Sequence, residues 1–227
     1  KYTHDGKLLM QIGTKGVYDT SDGTRNGTPL NAGHNAFIKP AGITVDHTNG
    51  DIYVADGYGN RRVAVFDSKG KFLRQWGRQA TPEEMEAGVG GVFAEVVHDV
   101  KVSNAGLVYV SDRQGDRVQV FDKMGNFKRN IWIRTGTPTL PDRRGTAWCT
   151  EFSRDPEQKY LYVMNGRNEQ VHILDHASGE ILSSFGRPGH QLGNFTHGHW
   201  VALDSKGNLF VAETNFGRRV NKFKPVN

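Results

Sequence analysis

His98 and His199 each lie 14 residues before an acidic side chain, Asp112 and Glu213 respectively, that ends an apolar, strand-like run. Equivalent placement in two copies of one pattern makes the pair a candidate for shared chemistry. Imidazole nitrogen is a common zinc ligand, and three protein nitrogens with an open fourth position describe a catalytic zinc site. Two singular side chains follow the acidic ends of such runs. Tyr58 stands in Asp56-Gly57-Tyr58-Gly59-Asn60 and Arg113 in Asp112-Arg113-Gln114-Gly115. An arginine fork can hold a carboxylate through two parallel hydrogen bonds, and a tyrosine beside a metal ion and a cation can accept a proton. Each residue also has a plain structural reading: histidines bonded to backbone or water in a polar channel, a surface tyrosine packed on Gly59, and a solvated arginine.

The elements that must position these residues are repeats. Val-Ala-Asp-Gly-Tyr-Gly-Asn-Arg-Arg-Val-Ala-Val-Phe over 54–66 and Val-Ser-Asp-Arg-Gln-Gly-Asp-Arg-Val-Gln-Val-Phe over 110–121 are the clearest copies. A unit of about 40 residues made of short strands predicts a β-propeller. In the first copy, segments 43–45, 52–55, 63–66 and 72–76 alternate apolar and polar residues between Gly, Asn and Asp, as meandering antiparallel strands do. The expectation is an all-β, single propeller domain over 1–227 with blades at 37–77, 91–133, 145–186 and 193–227. The fourth blade lacks its last strand, and residues 1–13 read as the outer strand of a preceding or closing blade. The four blades are expected to be part of a six-bladed ring, with a closed four-bladed ring as the alternative. First strands line a propeller's channel, so in a ring of six His98 and His199 would face each other from alternate blades. The third nitrogen would come from the blade before the amino terminus.

Residues that recur in every copy are read as architecture. Asp56, Asp112, Asn165 and Glu213 share one slot, and Arg62, Arg117, Gln170 and Arg219 another, where side-chain to backbone hydrogen bonds are expected to hold a turn. Insertions at 14–40 and 78–91 are either walls of a site or surface excursions.

Composition narrows the class. The 227 residues are 36% hydrophobic and 23% charged, ordinary for one all-β domain. The net charge of +5 is spread along the chain rather than blocked, which reads as a solvated basic surface. Cys149 is the single cysteine, so neither an intramolecular disulfide nor a thiolate metal cluster can form, and it reads as a small buried residue. No run of 18 apolar residues and no signal peptide is visible, so no membrane span is expected.

The four copies resemble NHL repeats. In order, Asp56-Gly57-Tyr58-Gly59-Asn60-Arg61-Arg62, His98 before Asp99, Ser111-Asp112-Arg113, Met164-Asn165-Gly166 and His199 resemble the propeller of the peptidyl-α-hydroxyglycine α-amidating lyases (peptidylamidoglycolate lyases), over nearly the whole chain. The resemblance implies a six-bladed ring and a zinc held by three histidines, two of them matched by His98 and His199. It also implies a tyrosine base matched by Tyr58, arginines for a substrate carboxylate, one matched by Arg113, and a structural calcium. Trp200 stands where the family has an aspartate that contributes to calcium binding, and His34 matches no ligand position. The implied reaction is metal-dependent cleavage of a carbinolamide C–N bond, giving an amide and glyoxylate from a small-molecule or peptide substrate with a terminal carboxylate, in an extracellular or periplasmic setting. The alternative is a non-enzymatic NHL propeller that serves as a platform for a protein partner. Nucleic acid is the weaker partner: Arg61, Arg62, Arg143, Arg144, Arg218 and Arg219 read as exposed, but no aromatic stacking series accompanies them. A sugar-lactone hydrolase would need an acidic metal cluster that the sequence does not show.

Overall fold

Strand alternation is realised as four antiparallel sheets in a computed structural model that describes residues 1–133 and 145–226. The first blade holds β1 (Gly42–Val45), β2 (Ile52–Asp56), β3 (Arg62–Phe66) and β4 (Phe72–Trp76). The second holds β5 (Val97–Val102), β6 (Val108–Asp112), β7 (Arg117–Phe121) and β8 (Phe127–Trp132). The third holds β9 (Cys149–Phe152), β10 (Tyr160–Asn165), β11 (Gln170–Asp175) and β12 (Ile181–Phe185), and the fourth β13 (Gly198–Leu203), β14 (Leu209–Glu213) and β15 (Val220–Phe223). In each sheet the strands pair in chain order, the meander of a propeller blade. Tight Asp-to-Gly turns enforce it. The Asp67 carboxylate accepts from the backbone N–H groups of Lys69 and Lys71, and Gly70 takes the left-handed φ of 84° that closes the hairpin.

The core lies between blades. Tyr53, Ala55, Val63 and Val65 of the first pack on Val97, Val100, Val108 and Val110 of the second. Tyr109, Val118 and Val120 meet Leu161 and Val163 of the third, and Met164 and Val171 meet Val201 and Val211 of the fourth. Because the central strands are covered on both faces, β2, β3, β6 and β7 are buried throughout.

Residues 1–13 depart from the expected outer strand. Tyr2 and Leu8 form one isolated bridge across a turn at Gly6, while Met10 and Ile12 lie on the far face of the first blade against Ile52, Val54, Ala64 and Phe66. Burying those two side chains replaces a sheet edge as the segment's source of stability. Beside them is an apolar cavity of about 620 Å³ lined by Phe37, Ile43 and Val45 among others. The 78–91 insertion contains a short helix, α1 (Pro82–Glu86), not anticipated from the sequence; Thr81 caps the N–H of Glu84 while the Glu84 carboxylate accepts from the Thr81 N–H, with Pro at the first turn.

The recurring acidic slot also differs from the expected turn bond. Asp56 accepts from Ile38 N–H, Asp112 from Ala94 N–H and Glu213 from Thr196 N–H, each the chain entering that blade. Each acid is also ion-paired with the recurring arginine: Asp56 with Arg62 at 2.9 Å, Asp112 with Arg117 at 2.8 Å and Glu213 with Arg219 at 2.6 Å. Asn165 accepts from the backbone of its own turn, through the N–H groups of Arg167 and Asn168, and Asp56 accepts from the Asn60 side chain of its turn. An ionised acid brings two oxygens and a charge to a guanidinium and a distant amide together, where an Asn has one uncharged oxygen. Among the described residues no helix is long and apolar enough to cross a membrane.

Candidate active site

Both histidines sit where a first strand carries an extra residue. In the second blade Val97 pairs with Asp112 and Asp99 with Ser111, so His98 is skipped by the ladder; in the fourth, Gly198 pairs with Glu213 and Trp200 with Ala212, so His199 is skipped. Such bulges re-aim a side chain. Two residues upstream of each histidine the backbone is left-handed, at Val96 (φ 70°) and His197 (φ 63°), a region β-branched residues rarely enter. The carbonyls of Val96 and His197 accept from the N–H groups of Arg113 and Thr214, tying each histidine strand to the turn beside it.

The structure brings His98, His199, Tyr58 and Arg113 together. The His98 and His199 ring centroids are 4.8 Å apart. His98 Nδ1 is 2.6 Å from the carbonyl oxygen of Trp148; a carbonyl only accepts, so Nδ1 carries the proton and Nε2 presents its lone pair. The Tyr58 hydroxyl, 2.9 Å from that Nε2, donates to it. The Arg113 guanidinium lies 4.9 Å from the Trp148 ring centroid and 5.4 Å from that of Tyr58, with Nη1 3.5 Å from the Tyr58 oxygen. Its Nε is buried without a hydrogen-bond partner among the described residues.

Electrostatics favour neutral rings. Burial, with smaller contributions from His199 and Arg113, pushes His98 down to about 3. Burial, His197 and Arg113 push His199 down to about 4. Burial also lowers the Arg113 guanidinium, which the Tyr58 hydroxyl partly offsets. Neutral imidazoles, one fixed by a carbonyl on its far nitrogen, are what a metal requires of its ligands. Two imidazoles bound to one tetrahedral ion at about 2.0–2.1 Å per bond have centroids near ~5 Å apart, a spacing this pair could adopt. The centroid spacing matches two positions of a zinc site, with His98 Nε2 turned to the Tyr58 hydroxyl. Among the described residues no cluster of three or more His, Cys, Asp or Glu side chains could hold a metal ion.

Trp148, His197 and Trp200 were not legible as parts of this site. Trp148 forms the floor beneath Arg113 and meets His199 edge-on at 5.1 Å; His197 stacks 6.5 Å from His199, and Trp200 lies 6.0 Å from His98. One signal was available: His197 and His199 are two apart in sequence. His34 stacks flat on Phe72, away from these residues in the chain's first insertion. Cys149 is fully buried, and burial raises its thiol well above the ordinary value.

The arginines that read as an exposed basic set are mostly spoken for. Arg62 is fully buried in its ion pair, Arg219 is paired with Glu213, Arg218 donates to the Asn215 carbonyl, and Arg61 donates to three carbonyls. Arg143 and Arg144 lie outside the described residues.

Comparison with known proteins agrees with this architecture. The NHL repeat family matches residues 37–66. Peptidyl-glycine alpha-amidating monooxygenase B of Xenopus laevis is 28% identical over 204 residues, covering 83% of this chain and 21% of that protein. Human NHL repeat-containing protein 3 is 29% identical over 234 residues, covering 100% of the chain and 58% of that protein. A probable peptidyl-alpha-hydroxyglycine alpha-amidating lyase of Caenorhabditis elegans is 26% identical over 185 residues, covering 78% of the chain and 47% of that protein. The chain thus spans between about a fifth and three fifths of these relatives' lengths. Among solved structures, hydrazine synthase of Kuenenia stuttgartiensis overlays with a TM-score of 0.54 at 16% identity, covering 99% of this chain and 70% of that one, a likeness of fold.

Proposed function

We propose that this NHL-repeat propeller is a metal-dependent lyase, similar to the peptidylamidoglycolate lyases, that cleaves a carbinolamide to an amide and glyoxylate. The observation that carries the reading is the approach of Tyr58 to His98 Nε2 beside Arg113. His98 and His199 would hold zinc, with a third ligand from a further blade. When bound, the ion supplies Lewis-acid polarisation of a hydroxyl oxygen. Arg113, desolvated between two aromatic rings, offers its Nε and remaining N–H groups to the substrate's terminal carboxylate. With His98 Nε2 committed to the metal, Tyr58 would no longer donate to it; as the phenolate beside Arg113 it takes the substrate hydroxyl proton and hands that proton to the departing nitrogen. The O–H electron pair becomes the C=O bond of glyoxylate as the C–N bond breaks, and the nitrogen takes that bond's electrons and a proton to leave as the amide. No electrons are gained or lost overall.

The likeness to amidating lyases supports this reading and, with it, an extracellular or periplasmic setting. The second reading is a platform for a protein partner; the likeness to NHL repeat-containing protein 3, over the whole of this chain and 58% of that protein, supports the repeat architecture on which it rests. Glyoxylate release from a peptidyl-α-hydroxyglycine separates the two. Release by the wild type, lost in Tyr58→Phe, supports the lyase; equal rates in both proteins, or none in the zinc-supplied wild type, favour the platform.

A further inference from the structure

The loop that carries the tyrosine is pinned at its base, by Tyr58 N–H on the Lys39 carbonyl, Gly59 N–H on the Ile38 carbonyl and buried Asn60, while the tyrosine side chain is open to solvent. Tyr58 is 39% exposed and is flanked by Gly57 and Gly59, the least conformationally committed of residues. A further hold on its path lies underneath. Arg61 Nη1 donates to the carbonyls of Gly57 at 2.9 Å, Gly59 at 3.1 Å and Asn60 at 2.7 Å, so the loop is wrapped around one guanidinium. Arg61 Nε is anchored on Gln79 Oε1 at 2.7 Å, and the Arg61 backbone N–H is held by Asn31 Oδ1 at 2.9 Å. The two glycines let this wrapping happen at close quarters. A Cβ on Gly57 would stand 1.9 Å from the Val97 carbonyl oxygen, one residue from His98, and a Cβ on Gly59 would stand 2.4 Å from Ile38.

We infer that Arg61 is a positioning residue for Tyr58: its guanidinium templates the Gly57–Asn60 loop so that the phenol reaches His98. This deepens the lyase reading and rests on it for any effect on turnover. Arg61 touches neither His98 nor the Arg113 carboxylate fork in the contacts that define the site, and its slot in the second blade is filled by Asp116, which instead accepts from the Thr146 N–H and hydroxyl. In the fourth blade the slot holds Arg218, whose Nε donates to the single turn carbonyl of Asn215, whereas Arg61 gathers three.

The test labels the protein with 3-fluorotyrosine, assigns the Tyr58 resonance by its disappearance in Tyr58→Phe, and follows it by fluorine NMR beside glyoxylate kinetics. In Arg61→Ala the resonance should move toward that of solvated tyrosine, with kcat down by about 10²-fold, the cost of misplacing a reacting group by about 1 Å, while KM stays within about threefold. Arg61→Lys should recover part of both effects, since an ammonium has three N–H donors for the three carbonyls but no Nε for Gln79. Gln79→Ala, which loosens the anchor and keeps the charge, should shift the resonance in the same direction by less and decides the matter if Arg61→Ala does not fold. An unmoved Tyr58 resonance in folded Arg61→Ala, or in both other variants, overturns the inference. A wild type that releases no glyoxylate but whose resonance moves on substitution sinks the lyase reading and leaves Arg61 as the residue that places Tyr58.

Discussion

The Tyr58 hydroxyl and His98 Nε2, contributed by neighbouring blades 40 positions apart in sequence, stand 2.9 Å from each other. The contact exists because the Trp148 carbonyl fixes the His98 proton on Nδ1 and a bulge turns the ring inward, so a lone pair faces the only hydroxyl that the first blade's turn extends toward it. A third blade thus sets the protonation pattern of a contact between the first two.

Removing that hydroxyl should separate chemistry from folding. Tyr58→Phe is expected to lower kcat for glyoxylate release by about 10²- to 10⁴-fold, the usual range for a lost general base, with a melting temperature close to that of the wild type because the ring is partly exposed. Paired kinetics and thermal melts check it.

Arg113→Ala should act on recognition. Loss of a charged hydrogen bond worth about 1.5–3 kcal/mol corresponds to a fall in kcat/KM of roughly 10- to 150-fold for a substrate with a terminal carboxylate. An analogue in which that carboxylate is amidated should lose no more in the variant than in the wild type.

Stability should depend on the ion pair that spans the second and third strands of a blade. Asp112 and Arg117 are both fully buried at 2.8 Å, so Arg117→Met leaves an uncompensated carboxylate and should cost about 3–5 kcal/mol in urea unfolding. Burial alone already pushes Asp112 upward, and Arg117 is what opposes it.

A pH dependence follows from the third blade, where a buried histidine, His172, meets the residue in the acidic slot, Asn165. His172 accepts from Asn165 Nδ2 at 3.0 Å and its Nδ1 lies 2.5 Å from the Ser184 hydroxyl, and burial pushes it down to about 4. An unfolded histidine takes up its proton near 6.5, so between about 6.5 and 4 the unfolded state binds a proton that the folded state refuses. Stability is full above that window and falls as pH drops through it. His172→Gln should reduce the slope of unfolding free energy against pH by about one proton, read from urea midpoints between pH 7 and 4.

The strands and blades were legible because alternation and Asp-Gly turns repeat, and repetition exposes what differs. Tyr58, Arg113, His98 and His199 stood out for that reason. The bulges at His98 and His199 were not legible, since a skipped residue depends on register with a partner strand. Recurrence marked Arg62 as architecture, and it is buried on Asp56; the wrapping of a loop by Arg61 was not legible, since its slot does not recur as arginine in the second blade. Residues 1–13 carried a strand-like pattern, and burial of Met10 and Ile12 on the first blade outweighed pairing.

The most direct test is metal analysis of the purified protein after zinc equilibration, with glyoxylate release measured on the same samples. One zinc per chain with turnover in the wild type, and neither in His98→Ala, is the predicted result. Full turnover in His98→Ala, or turnover by a wild type stripped of metal, would contradict a site built on His98 and His199.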